Sequence, residues 1–157
     1  MQPVGNVLIV DDAAENIQIL AQCLKGSYRL QIAKSGRQAL SIVGGETTPD
    51  IILLDIEMPE MDGYEVCRQL KDGEQTKDIP VIFITARPEI NEEEYGLSLG
   101  AVDYITKPIS PAIVQARVKT HMTIKQQRDR LISMAMYDQL TGLYNRHDLF
   151  DMAERKI

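Results

Sequence analysis

Apolar residues along the chain fall into short runs separated by stretches of helical spacing. Five runs, Asn6–Asp11, Tyr28–Ala33, Ile51–Asp55, Pro80–Thr85 and Val102–Thr106, are rich in β-branched residues. The first, third and fourth are almost continuously apolar, as expected of strands covered on both faces. After the first run, Ile17, Leu20, Ala21 and Leu24 repeat at i, i+3, i+4 and i+7, and Gly26 stops the pattern. Ala39, Leu40 and Val43 mark a second helix ended by Gly44-Gly45. Val66, Cys67 and Leu70 mark a third, and Tyr95, Leu97 and Leu99 a fourth before Gly100. Alternation at this pace predicts βαβ units, a parallel sheet and right-handed crossovers with helices on both faces. The expected fold is a doubly wound α/β domain of five parallel strands.

A fifth helix is of another kind. Ser110 suits its N-cap and Pro111 its first turn. No Gly or Pro follows until Gly142, so the helix is expected from Pro111 to about Tyr137, roughly 40 Å at ~1.5 Å per residue. Its second half is expected to extend past the domain, with apolar positions at Ile124, Leu131, Ile132, Met134 and Met136 interrupted by the polar stretch 125–130. Such a helix calls for a partner, most simply a second copy of the chain.

Composition narrows the classes. The 157 residues are 44% apolar and 25% charged, which is ordinary for a folded domain and excludes a disordered chain. No apolar run approaches the ~20 residues that span a bilayer, and the start is too polar for a signal peptide. Cys23 and Cys67 lie far apart and outside any metal-ligand spacing, so neither a disulfide framework nor a zinc site is expected. The expectation is a cytoplasmic protein that binds neither membrane nor nucleic acid. Charge is uneven: residues 1–108 hold 9 Lys+Arg against 18 Asp+Glu, and residues 109–157 hold 8 against 5. The change of sign near Pro108 suggests two parts with different tasks. Arg117, Lys119, Lys125, Arg128 and Arg130 are too sparse for a recognition stripe and are expected on a solvated helix face.

In an open parallel sheet, ligands bind beyond the carboxyl ends of the strands. Strand one ends in Asp11-Asp12, strand three in Asp55 and strand four in Thr85, and Lys107-Pro108 follows strand five. Three carboxylates at one edge raise one another's proton affinity unless a cation balances them. Oxygen ligands with room for water suit Mg²⁺. A hydroxyl at Thr85 and an ammonium at Lys107 supply what an incoming phosphoryl group needs, and one carboxylate then acts as nucleophile on phosphorus. Taken singly, an Asp at a strand end also serves as a helix cap, a role open to Asp12. It is the set of five that points to chemistry.

These residues resemble the receiver domain of two-component response regulators over residues 4 to about 120. The likeness is carried by Val10-Asp11-Asp12, Leu53-Leu54-Asp55, Met58-Pro59-Glu60-Met61-Asp62-Gly63, Ile84-Thr85-Ala86 and Tyr104-Ile105-Thr106-Lys107-Pro108. The resemblance implies a flavodoxin-like sheet of order 2-1-3-4-5. It implies phosphorylation on Asp55 by a sensor histidine kinase or phosphotransfer protein. Mg²⁺, or Mn²⁺ in its place, is implied on Asp12, Asp55 and the backbone carbonyl of Glu57, with Asp11 assisting through water. Thr85 and Tyr104 become the switch pair and Lys107 the phosphate partner, with a cis bond before Pro108.

The far end carries a second resemblance. Asp138-Gln139-Leu140-Thr141-Gly142-Leu143-Tyr144-Asn145-Arg146 is similar to the opening of a GGDEF domain, the diguanylate cyclase module, with His147 where the family usually has a second Arg. The Gly-Gly-Asp/Glu-Glu-Phe loop is absent from these 157 residues. The expected organisation is therefore a receiver domain at 1–120, a helical stalk at 121–137 and the front fragment of a GGDEF domain at 138–157. This piece is expected not to be an enzyme, beyond accepting and slowly losing a phosphoryl group, whereas its parent is expected to be a diguanylate cyclase. A phosphorylation-promoted homodimer would bring two cyclase domains together.

Three other readings fit less well. A haloacid-dehalogenase-type phosphatase needs Asp-x-Asp, and Asp11-Asp12-Ala13 does not supply it. A degenerate receiver that only dimerises would have lost the acidic pair, the acceptor or the lysine. A phosphotransfer role for His121 lacks the neighbouring carboxylate, so His121 is expected on the helix surface or seam.

Overall fold

The computed structural model describes the backbone of residues 5–86 and 90–145, and side chains at 5–86 and 93–137. Ten elements alternate: β1 (Asn6–Val10), α1 (Ala14–Leu24), β2 (Arg29–Ala33), α2 (Gly36–Val43), β3 (Ile51–Asp55), α3 (Gly63–Asp72), β4 (Val81–Thr85), α4 (Ile90–Ser98), β5 (Asp103–Thr106) and α5 (Pro111–Asn145). The strands form one parallel sheet of order β2-β1-β3-β4-β5. This is the expected doubly wound order, with its reversal between β1 and β3.

Strand side chains alternate between two layers. Leu8, Val10, Ile52, Leu54, Val81, Phe83 and Tyr104 pack with Ala39 and Val43 of α2 and Val66, Cys67 and Leu70 of α3. Val7, Ile9, Ile51, Leu53, Ile82, Ile84 and Ile105 pack with Ile17, Leu20 and Leu24 of α1 and Val114, Val118 and Met122 of α5. Each fully buried Leu or Ile contributes about 1.5–3 kcal/mol, so the continuously apolar β1, β3 and β4 anchor both layers. Helix entry is fixed locally: Ser35 Oγ accepts from Gln38 N–H at the start of α2, and Asp62 Oδ1 accepts from Glu65 N–H at the start of α3.

The structure corrects several expectations. Asp11, Tyr28, Pro80 and Val102 lie just outside the strands. Tyr95 and Leu97 are each 44% exposed, and among the described side chains of α4 the buried residue is Gly96 between them. A Cβ at Gly96 would lie 2.9 Å from the Phe83 ring, so glycine lets α4 approach β4. Asp12 does not cap α1: the N-cap is Ala13 without a side-chain bond, and its N–H donates to Asp11 Oδ1 at 2.9 Å. Arg117, expected on a solvated face, keeps a side-chain exposure of 43% but binds Asp103 of β5, and His121, expected on the helix surface or seam, binds the same carboxylate.

Helix α5 continues to Asn145, eight residues beyond the expected end, because Gly142 does not stop it. The chain divides into two units, Met1–Met122 and Thr123–Ile157. Within the second, Ile124, Leu131, Ile132, Met134, Met136 and Tyr137 are exposed, and Lys125 pairs with Asp129 at 2.6 Å. Of the GGDEF-like stretch, 138–145 is described as helical backbone, and 146–157 lies outside the described residues. No helix among the described residues is long and apolar enough to cross a membrane.

Candidate functional site

The carboxyl ends of β1 and β3 are neighbours in the sheet, and that adjacency brings the acidic residues together. Carboxylate oxygens of Asp11, Asp12 and Asp55 all lie within 4.8 Å of one another. Asp11 and Asp55 are 1% and 4% exposed, while Asp12 faces solvent. Lys107, after β5, closes the far side: its Nζ is 3.2 Å from Asp55 Oδ1 and 3.4 Å from Asp11 Oδ2. The peptide bond from Lys107 to Pro108 is cis, as expected. Lys107 N–H donates to the carbonyl of Thr85 at 2.7 Å, which ties the lysine to the end of β4.

Burial is the largest influence on Asp55 and raises its carboxyl to about 6, with Asp11 adding to the rise and Lys107 opposing it. For Lys107, burial alone lowers the ammonium's pKa, but Asp55 and Asp11 outweigh it and the net direction is up. The lysine is therefore held charged beside carboxylates that repel each other. Asp11 Oδ2 is buried, and beyond its ion pair with Lys107 at 3.4 Å it accepts no hydrogen bond. A buried carboxylate oxygen with unused lone pairs, two more carboxylates and an exposed side are the donor set a hard divalent cation takes. Residues Asp11, Asp12 and Asp55 fit such an ion.

Of the other expected residues, Thr85 is buried at the end of β4. Tyr104 lies apart from the acidic cluster, in the α2–α3–α4 layer. Its ring meets Phe83 edge-on at 6.4 Å, Phe83 meets Tyr64 at 5.4 Å, and Tyr64 meets Tyr95 at 4.8 Å. Glu57 follows Asp55 by two residues, on the loop leaving β3, with its side chain exposed.

Gly63, which the sequence presents only as the end of the Met58–Gly63 motif, has a packing role of its own. Its N–H donates to the Ile56 carbonyl at 2.8 Å, and a Cβ there would collide with the Asp55 carbonyl and lie 2.8 Å from Ile56 Cα. Glycine thus allows α3 to start directly beneath Asp55. The available signal is a glycine one residue after an Asp N-cap, closing the loop that follows the acceptor.

The chain as a whole is similar to known proteins. The sequence profile described as "Response regulator receiver domain" matches residues 7–119. A Vibrio cholerae protein named "Probable cyclic di-GMP phosphodiesterase" is 44% identical over 151 residues, covering 96% of this chain and 34% of the relative. Response regulator PleD of Caulobacter vibrioides is 41% identical over 128 residues, covering 81% of this chain and 28% of the relative. The chain thus spans about a third or less of these relatives' lengths. The crystal structure of the Mn²⁺-bound form of response regulator Rcp1 has a TM-score of 0.66 at 27% identity, covering 73% of this chain and 91% of that one.

Proposed function

The chain belongs to the response regulator receiver domain family, and on that premise we propose that it carries signals as a phosphoryl group on Asp55. The observation that supports this most is the pairing of Lys107 Nζ with a buried Asp55 whose neighbours are two further carboxylates. A histidine kinase or phosphotransfer protein is the proposed donor. One Asp55 oxygen forms a bond to phosphorus as the bond from phosphorus to the donor breaks. Lys107 Nζ, within reach of both buried carboxylates, then pairs with a phosphoryl oxygen, and the Thr85 hydroxyl donates to another.

Asp11, Asp12 and Asp55 are the proposed holders of Mg²⁺, with the Glu57 carbonyl as a further oxygen ligand; the Mn²⁺-bound relative supports Mn²⁺ as a substitute. When bound, the ion supplies positive charge that offsets the carboxylates and the incoming phosphate. Thr85 and Tyr104 are the proposed switch residues, with Thr85 moving toward the phosphoryl group and Tyr104 repacking against Phe83. The chain is proposed to act in the cytoplasm.

The output is proposed to be a diguanylate cyclase beyond residue 138, on the likeness of Asp138–Arg146 to that domain's opening, activated by a phosphorylation-promoted homodimer. A phosphodiesterase output is a second reading, supported by the Vibrio cholerae relative's match over nearly all of this chain. Both place the receiver upstream of cyclic di-GMP. Intact-mass spectrometry after incubation with acetyl phosphate and Mg²⁺ tests the core of the proposal. One phosphoryl adduct is expected on the parent chain and none on Asp55→Asn. Full labelling of Asp55→Asn would overturn the assignment.

A further inference from the structure

Asp103 and Tyr104 are consecutive on β5 and so address opposite layers of the sheet. Tyr104 packs with Phe83 on the α2–α3–α4 side. Asp103 meets α5 on the other side. Arg117 Nη1 donates to Asp103 Oδ1 at 2.8 Å, and His121 Nε2 lies 2.9 Å from Asp103 Oδ2. Arg117 and His121 are one helical turn apart, which is why both reach a single carboxylate. The same Oδ1 accepts the N–H of Tyr104 at 2.8 Å, and Arg117 reaches the Tyr104 carbonyl at 3.4 Å. The cluster therefore grips the backbone on both sides of the Tyr104 Cα. It is half-buried, with side-chain exposures of 22% for Asp103 and 16% for His121. None of it takes part in the proposed chemistry at Asp55.

Apolar contacts of Val114, Val118 and Met122 also hold α5 to the sheet, but such contacts are non-directional and tolerate sliding. Charge-assisted hydrogen bonds to both oxygens of one carboxylate have fixed geometry and do not. His121 stands immediately before Met122, where the first unit ends, while α5 continues without a break. We infer that Asp103, Arg117 and His121 are positioning residues, a clasp that turns repacking of Tyr104 on one face of β5 into movement of α5 on the other. This rests on the reading of Asp55 as phosphoacceptor and Tyr104 as a switch residue.

Hydrogen–deuterium exchange of the full chain, with and without beryllofluoride and Mg²⁺, reads both ends of the coupling. In the parent chain, beryllofluoride slows exchange in peptides holding Asp55 and Lys107 and changes it in peptides from 114–137. In Asp103→Asn and His121→Leu, the slowing at Asp55 persists while the α5 response falls at least threefold. His121→Gln keeps a side-chain donor and restores that response, which also keeps the test decisive should Asp103→Asn fail to fold. An α5 response of parental size in His121→Leu overturns the clasp. No slowing at Asp55 in the parent chain overturns instead the reading of Asp55 as phosphoacceptor beneath it.

Discussion

Lys107 Nζ stands 3.2 Å from Asp55 Oδ1, joining the turn after β5 to the last residue of β3 across the end of the sheet. The same ammonium is 3.4 Å from Asp11 Oδ2, so one cation serves two buried carboxylates. Burial and Asp11 hold the Asp55 carboxyl at about 6 against the pull of Lys107. Lys107→Met removes that pull, and the Asp55 carboxyl is expected to titrate above about 6. Carboxyl-carbon NMR titration without metal checks this; an unmoved titration would show that the ion pair has no electrostatic influence on the acceptor.

The same balance sets a pH dependence. Burial holds the Asp55 carboxyl at about 6 in the folded chain, against the ordinary aspartate value of 3.8 expected once it unfolds, so between these the folded state holds the extra proton. Stability without metal therefore falls as pH rises from about 4 to about 6, and the loss is complete above that window. If Mg²⁺ is held as proposed, it takes the ionised carboxylate, and it is expected to restore stability above pH 6 and to lose affinity as protons compete below it. The rise in Tm caused by millimolar Mg²⁺ is expected to be large near about pH 7.5 and to shrink towards zero near about pH 5. A Mg²⁺-induced shift of equal size at both values would contradict the assignment of Asp55 as a ligand.

Gly63→Ala tests the packing beneath the acceptor. The added Cβ meets the Asp55 carbonyl and Ile56 Cα, both backbone atoms that yield only if the end of β3 moves. A cost of about 1–3 kcal/mol, the usual range for overpacking, is expected as a lower urea midpoint, together with slower labelling by acetyl phosphate. Gly26→Ala is the control: no atom lies within 4 Å of its Cβ, and it is expected to be neutral or slightly stabilising.

What is legible in the sequence follows from how each feature is encoded. Asp11, Asp12, Asp55 and Lys107 are legible as a group because a parallel sheet gathers its carboxyl ends, so successive strand ends become neighbours. Strand limits run a residue long at Tyr28, Pro80 and Val102, where apolar character outlasts the ladder. The buried side of α4 is misread because Tyr95, Leu97 and Leu99 recur every second residue, which is not a helical period. The position that packs is Gly96, whose contribution is the absence of a side chain. The Asp103 clasp leaves no periodic trace, since its partners lie 14 and 18 residues away on another element. The one available cue is a basic pair spaced by four on α5.

The stalk supplies the last prediction. Beyond Met122, Ile124 and Leu131 are seven residues apart and Met134 follows three later, the spacing of a coiled-coil seam with polar Gln127 at the intervening position. All three apolar side chains are exposed, and the ion pair of Lys125 with Asp129 adds charge between them. A seam broken by a polar residue is weak alone, and a lone helix is marginal in water, so pairing should need a second contribution from the receiver. Sedimentation at tens of micromolar is therefore expected to show a monomer without beryllofluoride and a dimer with it. Leu131→Lys should return the treated chain to monomer while leaving phosphorylation of Asp55 intact, because the substitution lies in the second unit and the acceptor in the first. A monomer under both conditions, or a dimer indifferent to Leu131→Lys, would remove the stalk from the signalling path.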